Sequence, residues 1–218
     1  MKKLLIITFA FLFSINSAFA RVELSPRLFG DFMFSNYKNS GYKEDFNINT
    51  FGAELQCDLF FINLLFLNAG LCAGIDLGFG SFKFESETKN LSFAFDNLSV
   101  SSTSSSMSNN HFTIGFMFAP SVQLNIGSRH SIFAKPGVRA SLTRVNLSDG
   151  KTTSAVAYFI PEFLIEAGYK FWLLNHFSLL AGYRYEIPMG LFKSGDKIIY
   201  DIAQAHRVFI GASIKLLD

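Results

Sequence analysis

The 218 residues are half hydrophobic, include 27 Phe, and are only 17% charged, with a formal net charge of +2. A water-soluble domain usually carries about a quarter charged residues, so this chain has too little charge to cover a soluble surface. The near balance of charge also excludes a nucleic-acid binder, which needs a basic patch or stripe.

Met1 to Ala20 reads as a secretory signal peptide. Lys2 and Lys3 precede an apolar run from Leu4 to Phe13, and Ala18-Phe19-Ala20 is a small-x-small cleavage site. Cleavage after Ala20 leaves one domain, residues 21–218. Lys2 and Lys3 are two of the 19 basic residues, so 17 remain against 17 acidic ones. No Cys follows the site, which argues against a lipoprotein signal.

The mature chain reads as eight strands of period two. The first, Val22 to Phe34, alternates Val22, Leu24, Leu28 and Phe32 with Glu23, Arg27 and Asp31. A polar loop, Asn36 to Asn47, follows. The second, Thr50 to Leu59, alternates Phe51, Ala53, Leu55 and Cys57 with Glu54, Gln56 and Asp58. A tight turn at Phe60–Leu64 leads to the third, Leu65 to Phe79. Its Asn68, Gly70, Cys72, Gly74, Asp76 and Gly78 share one phase, which a transmembrane helix would scatter around its circumference.

Gly80 to Asn110 is the longest connection, with the low-complexity core SVSSTSSSMSNN. Phe82-Lys83-Phe84 and Phe93-Ala94-Phe95 in it are short strand extensions. The fourth strand runs from Phe112 to Leu124. A turn at Asn125–His130 leads to the fifth, Ser131 to Val145, with Lys135 and Arg139 on its polar phase. After a polar loop, Asn146 to Thr153, the sixth strand places Phe159, Phe163, Ile165 and Tyr169 opposite Glu162, Glu166 and Lys170. A turn at Trp172–His176 gives the seventh, with Arg184 and Glu186 on the polar phase. The eighth, Ala205 to Leu217 after the loop Pro188–Gln204, has Arg207 and Lys215 there.

Short turns and long connections alternate strictly. This is the pattern of an all-β, eight-stranded antiparallel up-and-down transmembrane β-barrel, with short periplasmic turns and longer extracellular loops. A soluble eight-stranded barrel would put the mixed face in water. That face is mostly Gly, Ser, Asn and Ala, too poor in charge for a wet surface, so it belongs inside. Glu23, Arg27, Asp31, Glu54, Asp58, Asp76, Lys135, Arg139, Glu162, Glu166, Lys170, Arg184, Glu186, Arg207 and Lys215 then form a lumenal charge network, because buried charges persist when paired. The apolar face meets lipid. Phe34, Phe51, Phe79, Phe112 and Phe159 form its outer aromatic girdle, and Tyr169, Phe171 and Phe177 its inner one. Pro120, Pro136 and Pro161 interrupt strands and predict local bulges.

Three segments carry a resemblance. Phe133 to Arg139 (FAKPGVR), Ile160 to Tyr169 (IPEFLIEAGY) and Leu179 to Tyr185 (LLAGYRY) resemble the second half of small OmpA-type and opacity-type outer-membrane barrels. The resemblance implies a bacterial outer-membrane location, a monomer and delivery by the barrel-assembly machinery. It departs at Leu216-Leu217-Asp218, where such barrels usually end on an aromatic residue.

Cys57 and Cys72 fall on opposite faces and predict two free thiols. His176, Ser178 and Glu186 contain the residue types of a hydrolase, but only Ser178 and Glu186 share a face, so no enzyme is expected. His111, His130, His176 and His206 lack metal-ligand spacing, and no cofactor is expected. The function expected is a structural or surface-exposed interaction protein, of adhesin or antigen type, with a plugged polar lumen. Its partners are outer-membrane lipid and a host or phage ligand at the long loops. The alternative is a narrow OmpW-like conduit for small, hydrophobic molecules.

Overall fold

The computed structural model describes residues 21–39, 42–86, 91–92, 99–100, 107–148, 153–188, 192–194, 197–199 and 204–217. The signal segment, Phe93-Ala94-Phe95 and residues 101–106 of the Ser-rich core lie outside these. The strands are β1 (Arg21–Asn39), β2 (Tyr42–Asn63), β3 (Leu67–Ser86), β4 (Leu91–Ser92), β5 (Ser99–Val100), β6 (Met107–Ile126), β7 (His130–Ser148), β8 (Thr153–Leu174), β9 (Phe177–Pro188), β10 (Phe192–Ser194), β11 (Lys197–Ile199) and β12 (Gln204–Leu217). Among the described residues, eight strands close a barrel in the order β1-β12-β9-β8-β7-β6-β3-β2, and every neighbour in it is antiparallel. Two short pairs, β4 with β5 and β10 with β11, stand apart from it.

The register fixes the girth. A row of paired residues passes from Ala157 through Arg144, Phe112, Phe79, Phe51, Gly30, Val208 and Tyr183. It returns to β8 at Ala167, ten residues below its start. With a rise of about 3.3 Å per residue and strands about 4.7 Å apart, that stagger tilts the strands by about 40°. The barrel wall then lies about 8 Å from its axis. That leaves room for side chains alone.

Phase follows the alternation of the sequence along the barrel strands except at register shifts such as those near Phe60 and Trp172. Leu28, Phe51, Leu77, Phe116, Val138, Phe163, Ile165, Tyr183 and Ile210 are exposed on the outside. Glu23, Arg27, Glu54, Asp76, Lys135, Glu166, Arg184 and Arg207 are buried on the inside. On β8 the outward run from Phe159 to Tyr169 is about 33 Å along the strand, or about 25 Å along the axis. That matches the apolar band of a transmembrane barrel.

Element ends differ from the expectation. The polar segment Asn36–Asn47 is largely strand: Asn36 pairs with Asp45, Tyr37 with Glu44 and Lys38 with Lys43. The next two loops shorten likewise, with Asp45 paired to Glu85 and Asn146 to Ala155. Ladder bonds need only backbone partners, and hydrophobic alternation marks a strand only where one face is apolar. Two expected turns also move. β2 continues past Phe60 to Asn63, and β8 continues past Trp172 to Leu174. Phe60 and Trp172 are buried in the barrel. The turn at Asn125–His130 narrows to residues 127–129, where Gly127 takes the left-handed conformation at φ 65°.

No register shift accompanies the prolines. Phe118 pairs with Val138 and Val122 with Ala134, so the same register sets Pro120 opposite Pro136. Neither ring has a donor, and pairing lapses between those positions instead of bulging. Pro161 lies one residue beyond Glu162, where β8 begins to pair with β9.

Candidate functional site

The inward phase builds a polar column in three tiers. At the short-turn end, Lys170 on β8 reaches Glu23 on β1 and also donates to Gln123 Oε1 at 2.9 Å. Arg21 pairs with Glu23 from the other side, and Ser213 Oγ donates to its Oε2 at 3.1 Å. Trp172 Nε1 donates to Ser131 Oγ at 3.0 Å. The Lys215 ammonium lies 4.3 Å from the Trp172 ring centre, and the Arg21 guanidinium 5.3 Å from it. These are cation–π distances.

The middle tier centres on Glu166. Its Oε1 accepts from Arg27 Nη1 at 2.8 Å. Its Oε2 accepts from Arg184 Nη2 at 2.6 Å, Arg184 Nε at 2.9 Å and Gln56 Nε2 at 3.1 Å. Arg184 also pairs with Glu54 across the barrel. Lys135 donates to Asp58 Oδ2 at 2.9 Å and to Gln56 Oε1 at 2.6 Å. The upper tier centres on Arg139. Its Nε and Nη2 hold Asp76 as a bidentate fork at 2.8 Å and 2.7 Å, and its Nη1 meets Glu162. Arg207 pairs with Asp31 at 2.9 Å and lies within 3.8 Å of Asp76, Glu54 and Glu186.

Aromatic rings fill the space between the ions. The Arg207 guanidinium stacks 3.9 Å from Phe29, and Arg27 sits 4.5 Å from Phe209. Each ring faces a glycine: Phe29 pairs with Gly52, Phe133 with Gly168 and Phe209 with Gly182. A Cβ on any of these glycines would come within 2.5 Å of the ring. The glycines of the inner face therefore make room for the Phe side chains that fill it. Arg184, Arg207, Lys135, Glu166 and Phe133 are at most 1% exposed, so no water-sized path crosses the lumen at their level.

All fifteen charged residues expected inside lie on the inward phase. Thirteen are buried, and Asp31 and Lys215, toward the two ends, keep partial access. The network also includes Arg21, which the sequence reading did not list, and the amides Gln56 and Gln123, which alternation already placed on the inward phase. The sequence reading missed Trp172, which it placed in a turn. The Cys residues separate as expected. Cys57 lies on the outer phase and Cys72 inside against Lys135, both as free thiols. Ser178 and Glu186 share one strand but are about 26 Å apart at eight residues. Glu186 is committed to Arg184, and His176 lies in the turn. The structure does not bring the three together. His111 bonds to Thr50 inside, while His130 and His206 pair with Tyr169 and Tyr183 outside.

Two solved structures share this architecture. The outer membrane protein OprG from Pseudomonas aeruginosa aligns over 91% of this chain and 97% of its own, with a TM-score of 0.59 at 8% identity. Ail, the attachment invasion locus protein of Yersinia pestis, solved with the heparin analogue sucrose octasulfate, aligns over 90% and 99%, with a TM-score of 0.52 at 14% identity. At these identities the likeness is one of fold. No protein-family model matches the chain, and no curated protein matches it by sequence.

Proposed function

We propose that this chain is a bacterial outer-membrane β-barrel with a plugged polar lumen. It serves as a structural or surface-exposed interaction protein whose long connections meet a ligand outside the cell. One observation carries the reading: polarity is inverted. Ile165 is 62% exposed on the outside while its neighbour Glu166 is sealed inside. In water this arrangement exposes an apolar surface all around the barrel, and only lipid covers such a surface without cost. The non-enzymatic assignment rests on a lumen whose carboxylates are paired with Arg and Lys, Glu186 among them, and on the separation of Ser178, His176 and Glu186. Export by the segment 1–20, assembly by the barrel machinery and a monomeric state belong to the same proposal.

Heat-modifiability on a gel after detergent extraction of outer membranes tests it. A mobility difference between boiled and unboiled samples is the expected result, and a wholly soluble periplasmic product refutes it. Protease shaving of intact cells should cut first between Ser86 and Met107.

The conduit reading has one observation in its favour. Among the described residues, β8 pairs with β9 only from Glu162 downward, although its pairing with β7 extends to Thr153. Likewise β1 pairs with β12 only up to Phe34, against Asn39 with β2. Among the described residues, the wall is thus lower over β9 and β12 at the long-connection end. Persistent conductance in planar bilayers, or saturable uptake of a small hydrophobic probe, would decide for the conduit. The sealed middle tier predicts neither.

A further inference from the structure

The short-turn end should be polar where it meets water, but two of its three turns carry exposed leucines in or beside them. The β6–β7 turn is Gly127-Ser128-Arg129. The β2–β3 turn is Leu64-Leu65-Phe66, and Leu65 is 99% exposed. The β8–β9 turn is Asn175-His176, entered through Leu173 and Leu174, and Leu174 is 69% exposed.

Both turns with exposed leucines are preceded by the same device. The β2–β3 register shifts between Phe60 and Ile62, and the β8–β9 register shifts between Trp172 and Leu174. A bulge inserts one residue, reverses the phase of the residues beyond it, and serves to re-aim a side chain. Without the shift, Ile62 would share the inward phase of Phe60, and Leu174 that of Trp172. With it, Ile62 pairs with Ala69 and Leu174 with Phe177, both on the outer phase. The β6–β7 turn follows a ladder without a shift, closing Ile126 against His130. In the circular strand order, two strands lie between the two hairpins on either side (β6 and β7, and β1 and β12), so their turns are diametrically opposed.

From this geometry we infer that Leu64-Leu65-Phe66 of the β2–β3 turn and Leu173-Leu174 at the entry to the β8–β9 turn are lipid anchors. They insert into the interfacial zone of the leaflet at the short-turn end, while Gly127-Ser128-Arg129 stays in water. The occupant is phospholipid, because the re-aimed residues continue the outward apolar band through Leu59, Leu71 and Leu179. The inference rests on the membrane reading above and adds to it a fixed immersion depth and resistance to tilting about one diameter.

Depth-dependent quenching tests it. Leu65→Trp, Leu174→Trp, Ser128→Trp and Phe163→Trp are each reconstituted into phosphatidylethanolamine–phosphatidylglycerol vesicles. The vesicles contain lipid brominated near the headgroup or near the bilayer centre. The lumenal Trp172 gives a common background, and each variant is read as its difference from the parent. Leu65→Trp and Leu174→Trp should lose at least half their added emission to the shallow bromines and little to the deep ones or to aqueous acrylamide. Ser128→Trp should be quenched by acrylamide only. If Leu65→Trp and Leu174→Trp behave like Ser128→Trp while Phe163→Trp is quenched by bromine, the anchors are refuted and the membrane reading stands. If Phe163→Trp is also untouched by bromine, the membrane reading fails first. A boiled-versus-unboiled shift checks that each variant is folded.

Discussion

Glu166→Gln should be among the most damaging conservative changes in the lumen. Glu166 is fully buried, with Arg27 on one oxygen and Arg184 and Gln56 on the other, and Lys135 Nζ lies 3.8 Å from Oε1. Glutamine keeps the shape and supplies one acceptor. Its amide nitrogen must then face either Arg27 or the Arg184–Gln56 pair, and all of these are donors. One donor is left opposing another, and one positive charge loses its compensation. Removing one member of a buried ion pair costs about 3–5 kcal/mol. A value of about 4 kcal/mol would lower the folded-to-unfolded ratio by about a thousandfold. The measurement is an equilibrium urea titration in lipid vesicles, followed by Trp172 emission and by the gel shift. A Glu166→Gln barrel within about 1 kcal/mol of the parent would refute Glu166 as the centre of the middle tier.

The residue beside it gives the opposite test. Ile165→Arg puts a charge on the outer face and should cost about 2–4 kcal/mol in a bilayer if the site is near the midplane; a silent result would remove that face from lipid. A Cβ at Gly78 would meet Thr50 Cγ2 at 2.5 Å, so Gly78→Ala should destabilise by about 1–3 kcal/mol through overpacking. Thr50→Ser, which deletes that methyl and keeps the hydroxyl facing His111, should recover part of the loss in the same titration. Cys57 and Cys72 should both read as free thiols by mass. Cys72 should resist maleimide until the barrel is boiled, and a native bridge between them would overturn the register of β2 on β3.

Much of the lumen was legible because side-chain direction in a strand is local. Each residue alternates with its neighbour, whatever the strand later pairs with. The parity of Glu162, Glu166 and Lys170 against Phe163, Ile165 and Tyr169 therefore survives intact in β8. The sparse charge on the inner phase was also a property of composition, and it turned the barrel inside out before any contact was known.

Partners and ends were not local. Arg184 meets Glu54 across 130 positions because a stagger of ten residues in an eight-stranded ring lifts β2 to the level of β9. No spacing in the sequence encodes that number. The polar strand pairs Asn36–Asp45 and Tyr37–Glu44 form because a neighbour is already in register, and no apolar pattern announces them. The bulges before Ile62 and Leu174 break the very parity on which the sequence reading relied. Alternation determined which way each side chain faces along an unbroken strand. Closure of the ring decided which charges meet, where the strands end, and where the rule of alternation is reversed.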